Sequence, residues 1–185
     1  MKKIISLSAY SFMLCTFMLS SKCYAQALGS TDIKAQLVKD WERAKTYTVD
    51  YLNTMPADKY TFKAVDSIRS FAQQMLHLAQ ANIFLMSTAT DQQGPSFVQS
   101  DLEHSPTAWK KDSVMYYVTA SYDYCKNAVS NSDVNKWGEK KKLFSFEETR
   151  FALMMKTFEH QTHHRGQTTI YIRLQAIKPP EERLF

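Results

Sequence analysis

With 185 residues, 44% of them apolar and 22% charged, the chain is sized and composed for one folded domain with a single core, since such cores typically serve ~100–150 residues. Its net charge of +5 is concentrated partly at the N-terminus, so charge offers no support for a nucleic-acid partner.

The chain begins as a targeting segment does. Met1, Lys2 and Lys3 supply positive charge and residues 4–19 an apolar run too short for an ordinary membrane span. Cys23 and Ala25 stand at the −3 and −1 positions for cleavage before Gln26. Residues 1–25 are therefore expected to be a signal peptide and 26–185 the mature domain, periplasmic or secreted. A lipid anchor on Cys23 would want a small residue before it, where Lys22 stands. No later run approaches ~20 apolar residues, so no stable membrane anchor is expected in the mature form. Cleavage removes Lys2, Lys3 and Lys22, three of the five surplus positive charges, and leaves +2. It also removes Cys15 and Cys23. The remaining Cys125 has no partner for an intramolecular disulfide, and its place in a helical pattern with Val118, Ala128 and Val129 marks it as a core residue rather than a nucleophile.

Taken in chain order, the mature sequence predicts four helices. The first starts at Ser30-Thr31-Asp32, with Asp32 able to cap, and runs to about 53, carrying Ile33, Leu37, Trp41, Thr48 and Leu52 at a spacing near 3.6. Pro56 lies in the connection that follows. The second spans about 67–87, where Ile68, Phe71, Ala72, Met75, Ala79, Ile83 and Met86 make one apolar stripe, widened by Leu78 and Leu85. A polar stretch of about twenty residues follows, long for a bundle loop and suited to a crossover. The third helix runs over about 108–130, with Val114, Val118, Cys125 and Val129 on its buried face. Residues 131–142 read as a charged, solvated loop around Lys140-Lys141-Lys142. The fourth helix is expected from Phe146-Glu147-Glu148, whose acids suit a helix N-terminus, to about 177, before Pro179-Pro180. The fold expected is all-α, a four-helix bundle.

Three of the five histidines fall in Glu159-His160-Gln161-Thr162-His163-His164-Arg165-Gly166-Gln167. Alternating steps of four and three residues pick out Leu153, Thr157, His160, His164, Gln167, Tyr171 and Leu174 as an inward-facing seam. A polar patch there is costly unless its groups are paired or bound. His160 and His164 are one turn apart on one face, a spacing at which two imidazoles share a metal. His163 is a rival ligand a quarter turn off the seam. Paired, hydrogen-bonded core histidines are the other reading of the pattern. A third ligand has to come from a facing helix, and His77 is the histidine on another predicted helix. Periodicity leaves it open, because the face Ser70, Gln74, His77, Ala81, Phe84 lies opposite the densest apolar stripe. His104 reads as an exposed loop residue. Three neutral nitrogens without a carboxylate would leave an open coordination position, the catalytic pattern.

These residues resemble the DinB/YfiT-like superfamily of metal-binding helical bundles. The likeness rests on His160-x-x-x-His164-Arg165-Gly166-Gln167, Tyr171-x-Arg173 and Pro179-Pro180, with His77 in Phe71-Ala72-Gln73-Gln74-Met75-Leu76-His77. The spacing from Met55-Pro56 through Phe62-Lys63 to Arg69-Ser70-Phe71 is similar as well. The resemblance implies a long crossover between helices 2 and 3, often a homodimer, and nickel, zinc or iron held by His77, His160 and His164. Ala176 departs from it, standing where glycine is common before the final prolines. Relatives of this type include transferases and isomerases using low-molecular-weight thiols, and others assigned only as metal-dependent hydrolases; for this chain a small-molecule substrate of unknown identity is expected. Fold does not choose among these. Export disfavours thiol chemistry, because reduced small thiols are kept in the cytosol. No seam carboxylate offers itself as a general base, although Glu159 adjoins His160. The expected function is thus a metal-dependent hydrolase or thiol transferase, with a non-catalytic metal- or ligand-binding module, or a purely structural bundle, as the alternatives.

Overall fold

The computed structural model describes residues 28–185, so the expected signal peptide lies outside the described residues. Four long helices account for most of them: α1 (Ser30–Thr54), α2 (Phe71–Thr90), α3 (Lys111–Ser130) and α4 (Arg150–Leu174). Among the described residues, no helix is long and apolar enough to cross a membrane.

Local chemistry sets the helix starts. The Asp32 carboxylate accepts from the Gly29 N–H at 3.3 Å. At α2, Ser70 Oγ accepts from the Gln73 N–H while Gln73 Oε1 accepts from the Ser70 N–H. This reciprocal cap satisfies two otherwise orphaned donors and starts the helix at Phe71, later than the apolar stripe suggests. The end of α4 is set by Ala176, which sits at φ 58° and whose N–H bonds Arg173 O at 2.9 Å. A left-handed residue closes helices commonly, and glycine does so without the Cβ penalty.

Pairwise contacts give the direction of each helix. Lys45 reaches Asp123, and Lys34 Nζ donates to Ser132 O, so α1 and α3 are antiparallel. Tyr171 OH donates to Arg69 O and Arg150 Nη1 to Ala89 O, which makes α2 and α4 antiparallel. Asn82 meets Ser121 while Gln92 Nε2 donates to Ala128 O, so α2 and α3 run parallel. Trp41 meets Phe158 and Tyr51 meets Thr169, so α1 and α4 are parallel too. Helices α1 and α2 sit on a diagonal. Parallel neighbours of about 20 residues need a connection ~30 Å long, and residues 91–110 supply it, with short 3-10 turns at Ser96–Gln99 and Pro106–Trp109. The expected bundle with its crossover between helices 2 and 3 is the observed fold.

One expectation fails between α3 and α4. Residues predicted as a solvated loop and a helix start form a hairpin instead, β1 (Lys140–Leu143) antiparallel to β2 (Phe146–Thr149). Lys141 pairs with Glu148 and Lys142 with Glu147 across the strands. The side chains pair differently, Glu147 with Lys140 at 3.8 Å and Glu148 with Lys156 at 3.5 Å. The two acids thus answer lysines rather than a helix dipole, and Thr149 Oγ1 caps α4 by accepting from Ala152 N–H at 3.1 Å.

The core carries a polar network where α1, α3 and α4 meet. Gln161, fully buried, accepts at Oε1 from Tyr122 OH (2.7 Å) and from Arg165 Nη1 (3.0 Å). The Arg165 guanidinium also lies 4.6 Å from the Tyr47 ring centroid and 3.4 Å from Thr48 Oγ1. A buried cation held by neutral oxygens and a ring face needs each of them. Cys125 is buried, as its pattern predicted, and burial pushes its thiol well above the ordinary range.

Replacing Gln161 with leucine is expected to lower stability by about 2–3 kcal/mol in chemical denaturation, because it removes the acceptor that Tyr122 OH and Arg165 share and leaves Thr48 Oγ1 alone to serve both. A loss below the scatter of the measurement would contradict the network's role. Ala176→Gly should instead stabilise by about 1 kcal/mol, raising the melting temperature by about 2–4 °C. An unchanged or lower melting temperature would show that the left-handed turn carries no strain.

Candidate metal centre

The antiparallel contact of α2 with α4 carries His77 towards His160 and His164. Each of the three rings offers one nitrogen such that these atoms lie within 4.8 Å of one another. His160 Nε2 and His164 Nε2 are 3.0 Å apart, and the His77 ring centroid is 4.6 Å from that of His164 and 5.4 Å from that of His160. The other two histidines stay outside the group. His163 is exposed with Gln167 as its partner, and His104 is exposed beside Asp101.

The surroundings hold these rings in place from behind. Gln74, buried on α2, sets its amide nitrogen 2.6 Å from His164 Nδ1 and donates to Gln167 Oε1. In this orientation the amide places the His164 proton on Nε2, towards His160, and ligation through Nε2 requires the amide to present its oxygen to Nδ1 instead. The Glu103 carboxylate, from the crossover, places Oε2 3.1 Å from His77 Nδ1 and takes a 2.6 Å bond at Oε1 from Arg69 Nε. Neither Glu103 nor Arg69 stands out in the sequence as a site residue. Glu103 belongs to the irregular crossover, where periodicity says nothing. Arg69 lies within the span expected for the second helix and in the segment that carries the resemblance, but it precedes the observed helix start at Phe71, and the sequence pattern gives it no role. Glu159 is exposed and points to no role in the group.

The inward seam of α4 also needs correction. Gln167 and Leu174 are exposed, while Gln161, Arg165 and Thr168 are buried with Leu153, Thr157, His164 and Tyr171. A straight helix turns every 3.6 residues, so strict seven-residue stepping drifts off the buried face within a few turns.

Burial holds all three imidazoles neutral. It lowers His164 to about 3, helped by the proximity of His160, and His160 to about 4, helped by His77. His77 is also lowered, by burial and then by Arg69, against the opposing pull of Glu103. Neutral imidazole is the form that ligates a cation. Two neutral rings facing through Nε2 are comfortable only with a proton or a cation between them. His160 Nδ1 is buried with no hydrogen-bond partner among the described residues, so protein groups alone leave that ring half satisfied. The donor set is three nitrogens with no carboxylate, which suits zinc, nickel or iron rather than calcium or magnesium. The group is thus able to hold a metal ion. A cleft of about 560 Å³ runs beside it, lined among others by Ile68, Arg69, Gln74, Gln167 and Tyr171.

The family model for the DinB family matches residues 25–181. The chain belongs to the DinB family. Among solved structures it is similar to a DinB-like protein from Bacillus cereus ATCC 10987, with a TM-score of 0.68 at 15% identity, over 79% of this chain and 95% of that one. It is also similar to the DinB-like protein YjoA from Bacillus subtilis, with a TM-score of 0.61 at 16% identity, over 81% and 96% of the two chains. At such identities the likeness is one of fold. No curated protein matches the sequence.

The lowered pKa values set a pH dependence. Because the folded values lie below the ordinary 6.5, the unfolded chain takes up protons first as pH falls. The contribution of these rings to stability is full above about pH 6.5 and is lost as pH falls through about 4 for His160 and about 3 for His164. Metal-free protein is therefore expected to melt at lower temperature at pH 5 than at pH 7, and His160→Asn with His164→Asn to flatten that difference. Equal wild-type melting at the two pH values would show that the rings are not held neutral by burial.

Proposed function

We propose that this DinB-family chain is an exported, metal-dependent enzyme of hydrolase type, with one divalent ion of nickel, zinc or iron held by His77, His160 and His164. The observation that carries the reading is the convergence of three neutral imidazoles from facing helices with no carboxylate in the group. Three protein ligands leave a coordination position for a reactant, the arrangement of catalytic rather than structural sites. An ion held there supplies Lewis acidity and draws the pKa of water or a thiol towards neutrality. The chain's own residues orient and bind: Gln74 braces His164, and the neighbouring cleft presents the Gln74 and Gln167 amides with apolar walls from Ile68 and Tyr171 to a small molecule.

Hydrolysis is preferred to thiol transfer because water is available outside the cytosol, whereas small reduced thiols are not. The supports for export are the N-terminal charge, the apolar run and the cleavage site, and a homodimer is the assembly that the family resemblance favours. One observation favours a second reading, a non-catalytic metal- or ligand-binding module. The carboxylate nearest the group, Glu103, is engaged by Arg69 and His77 and is not free to take a proton from a nucleophile.

Purified protein spanning 26–185 is expected to carry about one equivalent of a first-row metal, to melt at lower temperature after chelation, and to hydrolyse at least one member of a panel of small esters and amides. His164→Ala should lose both metal and turnover. Protein without stoichiometric metal, whose melting a chelator leaves unchanged, would remove the metal-dependent reading. Metal uptake without turnover on any of the panel would favour the binding module.

A further inference from the structure

Glu103 lies on the crossover between α2 and α3, in neither helix that carries the histidines. It is nonetheless the point where that segment touches the three-histidine group. Its side chain is 17% exposed and makes two contacts, Oε1 with Arg69 Nε at 2.6 Å and Oε2 with His77 Nδ1 at 3.1 Å. Its main-chain oxygen accepts two more hydrogen bonds, from Gln73 Nε2 and from Trp109 Nε1, each at 3.1 Å. Trp109 precedes α3, and Gln73 belongs to the cap of α2. One residue thus joins the crossover to both helices it connects and to one of the three imidazoles.

We infer that Glu103 is a positioning residue that fixes His77 for metal binding and couples occupancy of the site to docking of the crossover. The inference rests on the metal-binding reading above. An ionised carboxylate only accepts hydrogen bonds and a guanidinium only donates. Glu103 Oε2 at 3.1 Å and Arg69 Nη2 at 3.3 Å therefore compete for His77 Nδ1, and the shorter contact with Glu103 favours the proton on that nitrogen, with Nε2 as the donor to a cation. Such an outer carboxylate orients a ligating histidine and raises its basicity. The Arg69 guanidinium, in turn, holds the carboxylate in its charged form and in its orientation. Because the same residue anchors residues 91–110, an ion that holds His77 in this pose favours the docked crossover. By thermodynamic reciprocity the docked crossover favours the ion equally.

The test uses the mature chain with zinc and cobalt(II) as probes, comparing wild type, Glu103→Gln and Glu103→Ala. Affinity is read by competition with a chromophoric chelator, and hydrogen exchange is followed over 91–110 with and without zinc. Glu103→Ala is expected to weaken metal binding by about 10- to 100-fold. Glu103→Gln keeps the shape and an acceptor oxygen without the charge, so it should fall between alanine and wild type while its metal-free melting stays close to wild type. Zinc should slow exchange around Glu103 in wild type and lose much of that effect in Glu103→Ala. Wild-type affinity in both variants would overturn the inference, as would crossover exchange in wild type that zinc leaves unchanged. A wild-type chain that takes up no zinc would instead defeat the metal-binding reading itself, and this inference with it.

Discussion

The antiparallel register between α2 and α4 is the constraint on which the rest of the molecule depends. It is pinned at one end by Tyr171 OH on Arg69 O and at the other by Arg150 on Ala89 O. Between those points the Gln74 amide meets Gln167 and His164. A helix turns by about 100° per residue, so a slip of one position in either helix would carry His77 away from the facing pair. The parallel pairing of α2 with α3, and the long crossover that it demands, leave α2 free to present one face to α4. The crossover then returns across the bundle and brings Glu103 to the same place.

Placing imidazoles, amides and a guanidinium inside a helical bundle has a free-energy cost, and the structure meets it in two different ways. Around Arg165 the cost is offset within the protein, by Gln161, Thr48 and the face of Tyr47. Around the histidines it is offset by Gln74 on His164, by Glu103 on His77 and by the 3.0 Å contact between the Nε2 atoms of His160 and His164, while His160 Nδ1 has no partner among the described residues. One polar cluster is closed and the other keeps a buried ring nitrogen without a partner among the described residues. That difference separates the structural part of the stretch His160 to Gln167 from the part that could bind an ion, although the two alternate along a single helix.

Much of the architecture was legible in the sequence because amphipathic periodicity is a direct imprint of a bundle core. Leu37, Trp41 and Leu52 on α1, Met75 and Ile83 on α2, and Val114, Val118 and Val129 on α3 are buried as their spacing suggests. The hairpin was hidden because Glu147 and Glu148 fit a helix N-terminus and a lysine-paired strand equally well, and only the cross-strand register decides between them. On α4 a heptad step fitted the histidines but missed Gln161 and Arg165, whose burial follows the true helical period. His160 and His164 announce themselves by spacing within one helix, whereas His77 comes to them through tertiary packing that periodicity left undecided. Glu103 and Arg69 were out of reach, since no local pattern reports which loop residue folds back onto a site.

The proposed chemistry requires a single cation among three imidazole nitrogens contributed by two facing helices. Anomalous diffraction from crystals of the metal-loaded protein, recorded at the absorption edge of the ion, tests it most directly. The account predicts one peak about 2.0–2.1 Å from a nitrogen of each of His77, His160 and His164, with Glu103 Oε2 on the far side of the His77 ring. A loaded crystal with no peak there, in which His160 and His164 hydrogen-bond directly to each other, would contradict it.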